Sequence, residues 1–272
     1  GEGVPRELWS HLTEKQRMIE RVRHFNMIFP LTNPWKNVAI RKACLLIVRT
    51  NDTLACIPPK YRNKCQLMIE TGISQSDIES FKAVGTNLNS ELRNDFLICG
   101  KMVPYKLFDL AIDAFGNADE INGNAKLHII GDGPLMNSLK REAQKYEAST
   151  NIVFHGKLSR KETLEIMASC KALLLTSARE GGSWVMFEAM LLKKPIICFD
   201  TSGMTVVVNR EMGYMIPVCA YEEAIVHFKQ ALIDCYYQDT TEMGNQAYWR
   251  VTEQFTWKAK IEQMLKQLDE NN

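Results

Sequence analysis

Two acids, Glu180 and Glu188, bracket the run Gly181-Gly182-Ser183-Trp184-Val185-Met186-Phe187. Before them lies Ala172-Leu173-Leu174-Leu175-Thr176-Ser177, an apolar run that reads as a buried strand. Trp184 to Leu192 has the apolar periodicity of a helix. The acids therefore flank a glycine turn where a strand hands over to a helix. Such turns bind phosphates, because unpaired helix N-terminal amides point out of them. A carboxylate there repels phosphate, so these acids point to another part of the same ligand: sugar hydroxyls, or a centre that turns cationic in a transition state. On spacing alone a solvated helix face explains them better. The glycines favour function, since they let a backbone come close to a ligand. Ser183 stands where it could cap the helix, with the amides of Gly182 to Trp184 free to face a sugar or a diphosphate.

A diphosphate needs counter-charge, and Lys101 and Lys106 offer it just after the apolar run Phe96–Cys99. Two cations beside a leaving diphosphate stabilise the charge that develops there. By type alone they read as exposed lysines. Gly133-Pro134 and Gly156-Lys157-Leu158 form further turns after apolar runs, where backbone could edge a nucleotide. Asp132 reads as a turn residue. His155 is tempting as a base but has no carboxylate near it in sequence, and reads as structural.

These turns need a scaffold, and the periodicity supplies one. Short apolar runs at Phe96–Cys99, Lys126–Ile130, Asn151–Phe154, Ala172–Thr176, Pro195–Phe199 and Gly213–Pro217 alternate with helical spacing at Tyr105–Phe115, Leu135–Tyr146, Ser159–Ala168, Trp184–Leu192 and Tyr221–Tyr236. Continuous apolar strands separated by helices imply a parallel sheet covered on both faces: an α/β, doubly wound, Rossmann-like fold of about six strands. Its ligands belong at the C-terminal strand ends. The first ninety or so residues differ. Pro5–Phe29 is helical, basic and aromatic, Leu45–Arg49 and Cys65–Glu70 read as strands, Ile73–Asn87 as a polar linker followed by Leu88–Arg93. Thr241–Asn272 reads as helices anchored by Trp249, Phe255 and Trp257. The expected division is 1–88 as a first-domain segment with linker, 89–240 as the ligand-binding domain and 241–272 as C-terminal helices.

Composition excludes several classes. The 272 residues are 46% apolar and 24% charged, with a net charge of +1, which gives no global attraction to nucleic acid. Eight cysteines show no zinc spacing and suit a reducing, cytoplasmic compartment. No run of eighteen apolar residues is present.

Taken together, the motifs resemble the nucleotide-sugar-binding half of GT-B glycosyltransferases, the retaining group 1 or GT4 family. Leu97-Ile98-Cys99-Gly100-Lys101-Met102-Val103-Pro104-Tyr105-Lys106 is similar to its strand-Gly-Arg-x-x-x-x-Lys loop, with Lys101 in place of Arg. Ile129-Ile130-Gly131-Asp132-Gly133-Pro134, Val153-Phe154-His155-Gly156, the Glu180–Glu188 pair, Ser202-Gly203 with Gly213, and Phe255-Thr256-Trp257 resemble later family motifs in the right order. Val206 stands where the family commonly has Glu.

The resemblance implies roles. Lys101 and Lys106 neutralise the diphosphate of a nucleotide-sugar, Glu188 holds the ribose, and Glu180 lies nearest the transferred sugar, so that Glu180, Lys106 and Lys101 form the catalytic set. Gly181, Gly182, Ser183, Trp184, Gly133, Pro134, Gly156, Lys157 and Leu158 complete the donor site. It also implies retention of anomeric configuration without a metal or resident cofactor, the substrate being a UDP- or GDP-sugar and the acceptor a sugar, lipid-linked sugar or polysaccharide in bacterial surface glycan or glycolipid synthesis. The part before the linker matches only the tail of the family's acceptor domain, so the chain reads as a piece of a longer enzyme whose N-terminal domain is a partner of this half. A GT-B sugar-nucleotide epimerase and a non-catalytic nucleotide-sugar-binding module are the alternatives. Arg17, Arg21, Arg23, Phe25, Phe29, Trp35 and Lys36 form a basic-aromatic stretch that suits either packing on that domain or peripheral contact with the inner face of the membrane.

Overall fold

The computed structural model describes residues 4–22, 34–87 and 93–271. In chain order the elements are a 3-10 turn Arg6–His11, α1 (14–22), α2 (Pro34–Lys42), β1 (Leu46–Val48), α3 (Asn51–Ala55), β2 (Cys65–Leu67), α4 (Gln75–Asn87), β3 (Phe96–Cys99), α5 (Phe108–Gly116) and β4 (Leu127–Ile130). There follow α6 (Met136–Ala143), β5 (Ile152–Gly156), α7 (Arg160–Ser169), β6 (Ala172–Leu175), α8 (Trp184–Leu191), β7 (Ile196–Phe199), α9 (Met204–Val207), β8 (Gly213–Ile216), α10 (Tyr221–Tyr237), α11 (Thr241–Gln254) and α12 (Trp257–Asn271).

Six parallel strands form the main sheet in the order β5-β4-β3-β6-β7-β8. The inner strands carry no polar alternation because both faces are covered: every residue of β4, β6 and β7 is buried. Phe96 pairs with Leu127 on one side and with Ala172 on the other. The chain builds outward from β3 to β5, then returns to place β6 on the other flank of β3. Strand order reverses between β3 and β6, and the loops that follow those two strands diverge from a crevice there.

The first ninety residues are shared between two cores. Ile40, Val48 and Ile57 form a small cluster around the parallel pair β1–β2. Val4, Leu8, Leu12, Ile69, Ile73, Ile78 and Phe81 instead join the core of the main sheet. The expected linker over Ile73–Asn87 is therefore corrected: most of it is helix α4. Ser74 and Asp77 cap it reciprocally, the Asp77 amide donating to Ser74 Oγ (3.1 Å) and the Ser74 amide to Asp77 Oδ2 (2.9 Å). Its polar average hides Ile78 and Phe81, three positions apart, which one helix face buries together. Residues 88–92, expected as a further segment, lie outside the described residues, as do Arg23, Phe25 and Phe29 of the basic-aromatic stretch.

The C-terminal helices strap the two parts. The Ile73 amide donates to Phe255 O, the Trp257 amide to Ile73 O, and Lys260 Nζ to the carbonyls of Ile69 (2.6 Å) and Thr71 (2.8 Å). Phe255 is buried, as expected of an anchor. Trp249 and Trp257 are not: both are exposed, Trp257 lying flat over Gly72, where a Cβ would meet its ring at 2.6 Å. Among the described residues no helix is long and apolar enough to cross a membrane.

Candidate active site

Between β3 and α5 the expected single helix breaks. A 3-10 turn, Pro104–Lys106, is followed by Leu107 in the left-handed region at φ 46°, and only then does α5 begin. The break turns Lys106 back over the end of β3. Its Nζ donates to Glu180 Oε2 at 2.6 Å, and both side chains are only 13% exposed. Two further bonds to backbone carbonyls join the loops: Thr176 Oγ1 donates to Lys106 O (2.9 Å) and the Ala178 amide to Tyr105 O (2.8 Å). The Arg179 guanidinium lies 4.5 Å from the Tyr105 ring centre.

Glu180 is held from the other side by the turn after β7. The Gly203 amide donates to Glu180 O at 2.7 Å, and Ser202 Oγ also bonds that carbonyl. A Cβ on Gly203 would fall 2.5 Å from the same oxygen, so the approach requires glycine there. Gly182, at φ 105°, rests on Ile69, and its carbonyl accepts from Thr71 Oγ1 at 2.6 Å. Ser183 occupies the N-cap of α8, yet its side chain makes no capping bond; its Oγ is buried without a hydrogen-bond partner. The expected capping role is thus not what the hydroxyl does.

Glu188, one turn into α8, is buried and accepts from Arg160 Nε at 2.9 Å. Arg160 opens α7 and also faces the rings of Phe81 (5.5 Å) and Trp184 (5.9 Å). Nothing in the local sequence pattern of Arg160 separates it from a solvated first-turn residue. Only the packing of α7 beside α8 brings it to the acid. Cys99, at the end of β3, reports how close these groups stand: burial pushes its thiol up to about 11, Glu188 adding to the rise and Lys106 opposing it.

The remaining turns share this end of the sheet. The Gly100 amide donates to Ile130 O (3.0 Å) and the Gly131 amide to Gly156 O (2.8 Å), so the turns after β3, β4 and β5 are tied in sequence. Gly133 packs on the Met102 backbone, and Asp132 acts as expected in the turn, accepting from the Gly133 amide at 2.7 Å. Pro134 and Lys157 are exposed and Leu158 is half-buried. Lys101 is exposed and stands outside the Lys106–Glu180 pair. His155 does have partners, which its sequence neighbourhood hid: it lies 2.9 Å from His128, which in turn lies 3.3 Å from Asp95 at the opposite end of the sheet. Burial, with the nearby His128, holds the His155 imidazole below the usual range.

Lys106 and Glu180 thus meet across the two strands between which the order reverses, the place where open α/β sheets bind ligands. The sequence profile of the Glycosyl transferases group 1 family matches residues 82–249, a span that contains Lys106, Arg160, Glu180 and Glu188. The chain belongs to the group 1 glycosyl transferases.

Curated relatives of this group 1 chain include an uncharacterized glycosyltransferase of Methanocaldococcus jannaschii, 28% identical over 156 residues that make up 57% of this chain and 42% of that protein. The poly(ribitol-phosphate) alpha-N-acetylglucosaminyltransferase of Staphylococcus aureus is 27% identical over 37% of this chain and 20% of its own length. The chain spans under half the length of these relatives. Among solved structures, the pneumococcal O-GlcNAc transferase GtfA, in complex with UDP and GlcNAc, superposes with a TM-score of 0.66 at 17% identity, over 89% of this chain and 47% of that one. Anabaena HepE, in complex with UDP and glucose, gives 0.61 at 19% identity, over 86% and 65%. These likenesses establish the shared fold.

Proposed function

We propose that this chain is the donor-binding half of a retaining GT4-type glycosyltransferase that transfers a hexose from a UDP- or GDP-sugar to a sugar, lipid-linked sugar or polysaccharide acceptor. The observation that carries the reading is the Lys106–Glu180 pair at the reversal point of the sheet, with Glu188 behind it. Lys106 supplies the positive charge for the diphosphate, and the start of α8 adds amides to it. Lys101, exposed in the same loop after β3, adds a second positive charge for the diphosphate. Glu188 accepts from the ribose diol, as a carboxylate does well. Glu180, released from Lys106 when a diphosphate takes that cation, orients the transferred sugar and stabilises positive charge at its anomeric carbon. The buried, unpartnered Ser183 hydroxyl is a ready donor to the same ligand.

The reaction on this reading needs no metal, since lysine and helix amides provide the charge. The bond between the anomeric carbon and the diphosphate oxygen breaks, the acceptor oxygen bonds to that carbon on the same face, and the acceptor proton passes to the leaving phosphate. Relatives named for alpha-N-acetylglucosaminyl and mannosyl transfer, and the UDP in the GtfA and HepE complexes, support the substrate class. A cytoplasmic enzyme working at the inner face of the membrane fits the eight free cysteines and the glycolipid-synthesising relatives.

Calorimetric titration of the chain with UDP, GDP and ADP tests the reading. One nucleoside diphosphate should bind, and Glu188→Ala should weaken that binding by about 1.5–3 kcal/mol. Failure of all three to bind would leave the fold without this function. A covalent sugar adduct trapped on Glu180 would replace same-face attack by a double displacement.

A further inference from the structure

The Cys219–His227 stretch carries chemistry that the donor site does not use. Cys219 precedes the first turn of α10, and Glu223 and His227 follow at successive intervals of four residues. On a helix that spacing stacks Glu223 and His227 on one face, and the extended chain entering at Ala220 brings Cys219 to them. The Cys219 sulfur, a Glu223 carboxylate oxygen and a His227 ring nitrogen all lie within 4.8 Å of one another, and Glu223 Oε1 is 3.5 Å from His227 Nε2. Ligands of a tetrahedral zinc ion at about 2.0–2.3 Å stand roughly 3.3–3.8 Å apart. The three atoms are therefore already near coordinating distance, and small side-chain rotations close the set.

From this geometry we propose that Cys219, Glu223 and His227 form a zinc site with a water in the fourth position. A thiolate and an imidazole select a borderline-soft ion such as Zn2+ over Mg2+ or Ca2+, which need oxygen ligands. Cys219 and His227 are half-buried and Glu223 is exposed, so the ion has an open entry path. The three do not form a CxxC or Cys/His zinc spacing, so the sequence alone does not connect them.

The location argues for a clip rather than a second catalytic centre. β8 is the edge strand, separated from β6 by β7, and α10 follows it. The first residue of α10, Tyr221, is already clamped: its hydroxyl donates to Asp113 Oδ2 on α5 at 2.8 Å, and its ring stacks on His11 at 3.8 Å. Zinc on Cys219, Glu223 and His227 would fasten the preceding segment, 217–220, to the first two turns of α10. The edge of the sheet would then be closed by metal on one side of Tyr221 and by aromatic stacking on the other.

The test is titration of the metal-stripped chain with Co2+, a spectroscopic stand-in for Zn2+. One equivalent should produce visible d–d bands of tetrahedral intensity and a sulfur-to-cobalt charge-transfer band in the near ultraviolet. Cys219→Ser should remove the charge-transfer band, and His227→Ala should weaken binding at least a hundredfold, as should Glu223→Ala to a lesser degree. Excess Zn2+ should raise the melting temperature of the wild-type chain and leave both Cys219→Ser and His227→Ala unmoved. All three positions are at least partly exposed, and circular dichroism of the metal-free variants checks that they fold. Absence of the charge-transfer band, or its survival in Cys219→Ser through one of the other seven cysteines, would overturn the proposal.

Discussion

Lys106 Nζ donates to Glu180 Oε2 at 2.6 Å, joining the loop after β3 to the loop after β6 where the strand order of the sheet reverses. The cation proposed for the diphosphate and the acid proposed for the sugar neutralise each other before any ligand arrives. A diphosphate that claims Lys106 thereby frees Glu180. Lys106→Ala in the whole enzyme should lower kcat by about 10²–10³-fold, the usual cost of removing one pre-positioned charge stabiliser. In calorimetry on this chain the same variant should weaken nucleoside diphosphate binding, and Lys106→Arg should not restore turnover, because the larger guanidinium cannot occupy a 2.6 Å contact of the same shape. A kcat within tenfold of wild type for Lys106→Ala would remove the lysine from this role.

Arg160 is 58% exposed and its partner Glu188 only 12%, so the acid is the fixed member of the pair. If Glu188 holds the ribose, it is the source of discrimination between a ribonucleotide and its 2′-deoxy counterpart. The wild-type chain should bind UDP or GDP more tightly than the matching 2′-deoxy diphosphate by about 1.5–3 kcal/mol, the range for a hydrogen bond to a charged group. Glu188→Ala should erase that preference. Arg160→Ala should leave it intact, because the preference rests on the fixed Glu188 carboxylate and Arg160 is the exposed member of the pair. Equal discrimination in wild type and Glu188→Ala, read by competition calorimetry, would reassign the acid.

Gly203 approaches the Glu180 carbonyl so closely that a methyl group would stand 2.5 Å from it. Gly203→Ala should push the Glu180 loop away from the Ser202 turn at an overpacking cost of about 1–3 kcal/mol in stability. Turnover should fall more than nucleotide affinity does, since Glu188 and the amides of α8 lie beyond the displaced turn. Chemical denaturation together with steady-state kinetics separates the two effects.

His11 lies 2.6 Å from Asp109 and stacks on Tyr221, fixing the N-terminal turn to α5 and α10. Burial pushes its pKa down, but the hydrogen bond and charge of Asp109, with Asp113 and Glu142 behind it, outweigh burial and hold it above the ordinary 6.5. A histidine whose folded value is raised contributes stability that is fully present below its unfolded value and fades as pH climbs through the folded one. The difference in melting temperature between wild type and His11→Gln should thus be largest below pH 6.5 and shrink as pH climbs above it, by roughly 1–3 °C in total. A difference that grows with pH would show that the stacked, neutral ring stabilises more than the ion pair does.

Much of this architecture is readable because its strands are buried on both faces. Phe96–Cys99 is found to the residue, and the other five apolar runs of the main sheet become strands within one or two positions. The turns that follow them had to lie at one end of the sheet, which placed Glu180, Glu188, Lys106, Gly133 and Gly156 together. Where composition was averaged, the reading failed. Ile73–Asn87 looked like a linker because Ile78 and Phe81 are few among polar neighbours, though two well-spaced residues suffice to bury a helix face. Trp249 and Trp257 looked like anchors because large aromatic rings usually are buried, and both are exposed.

The order of residue types along the chain determined the α/β class, the parallel sheet and the end at which ligands bind, because backbone hydrogen bonding and two-sided burial leave few alternatives for short apolar runs between amphipathic helices. Pairings between residues remote in sequence were decided only in three dimensions. Arg160 meets Glu188, Lys106 meets Glu180, and His155 reaches Asp95 through His128 because helix packing and strand order set those distances. Charge and type at one position do not specify which partner a fold will bring to it.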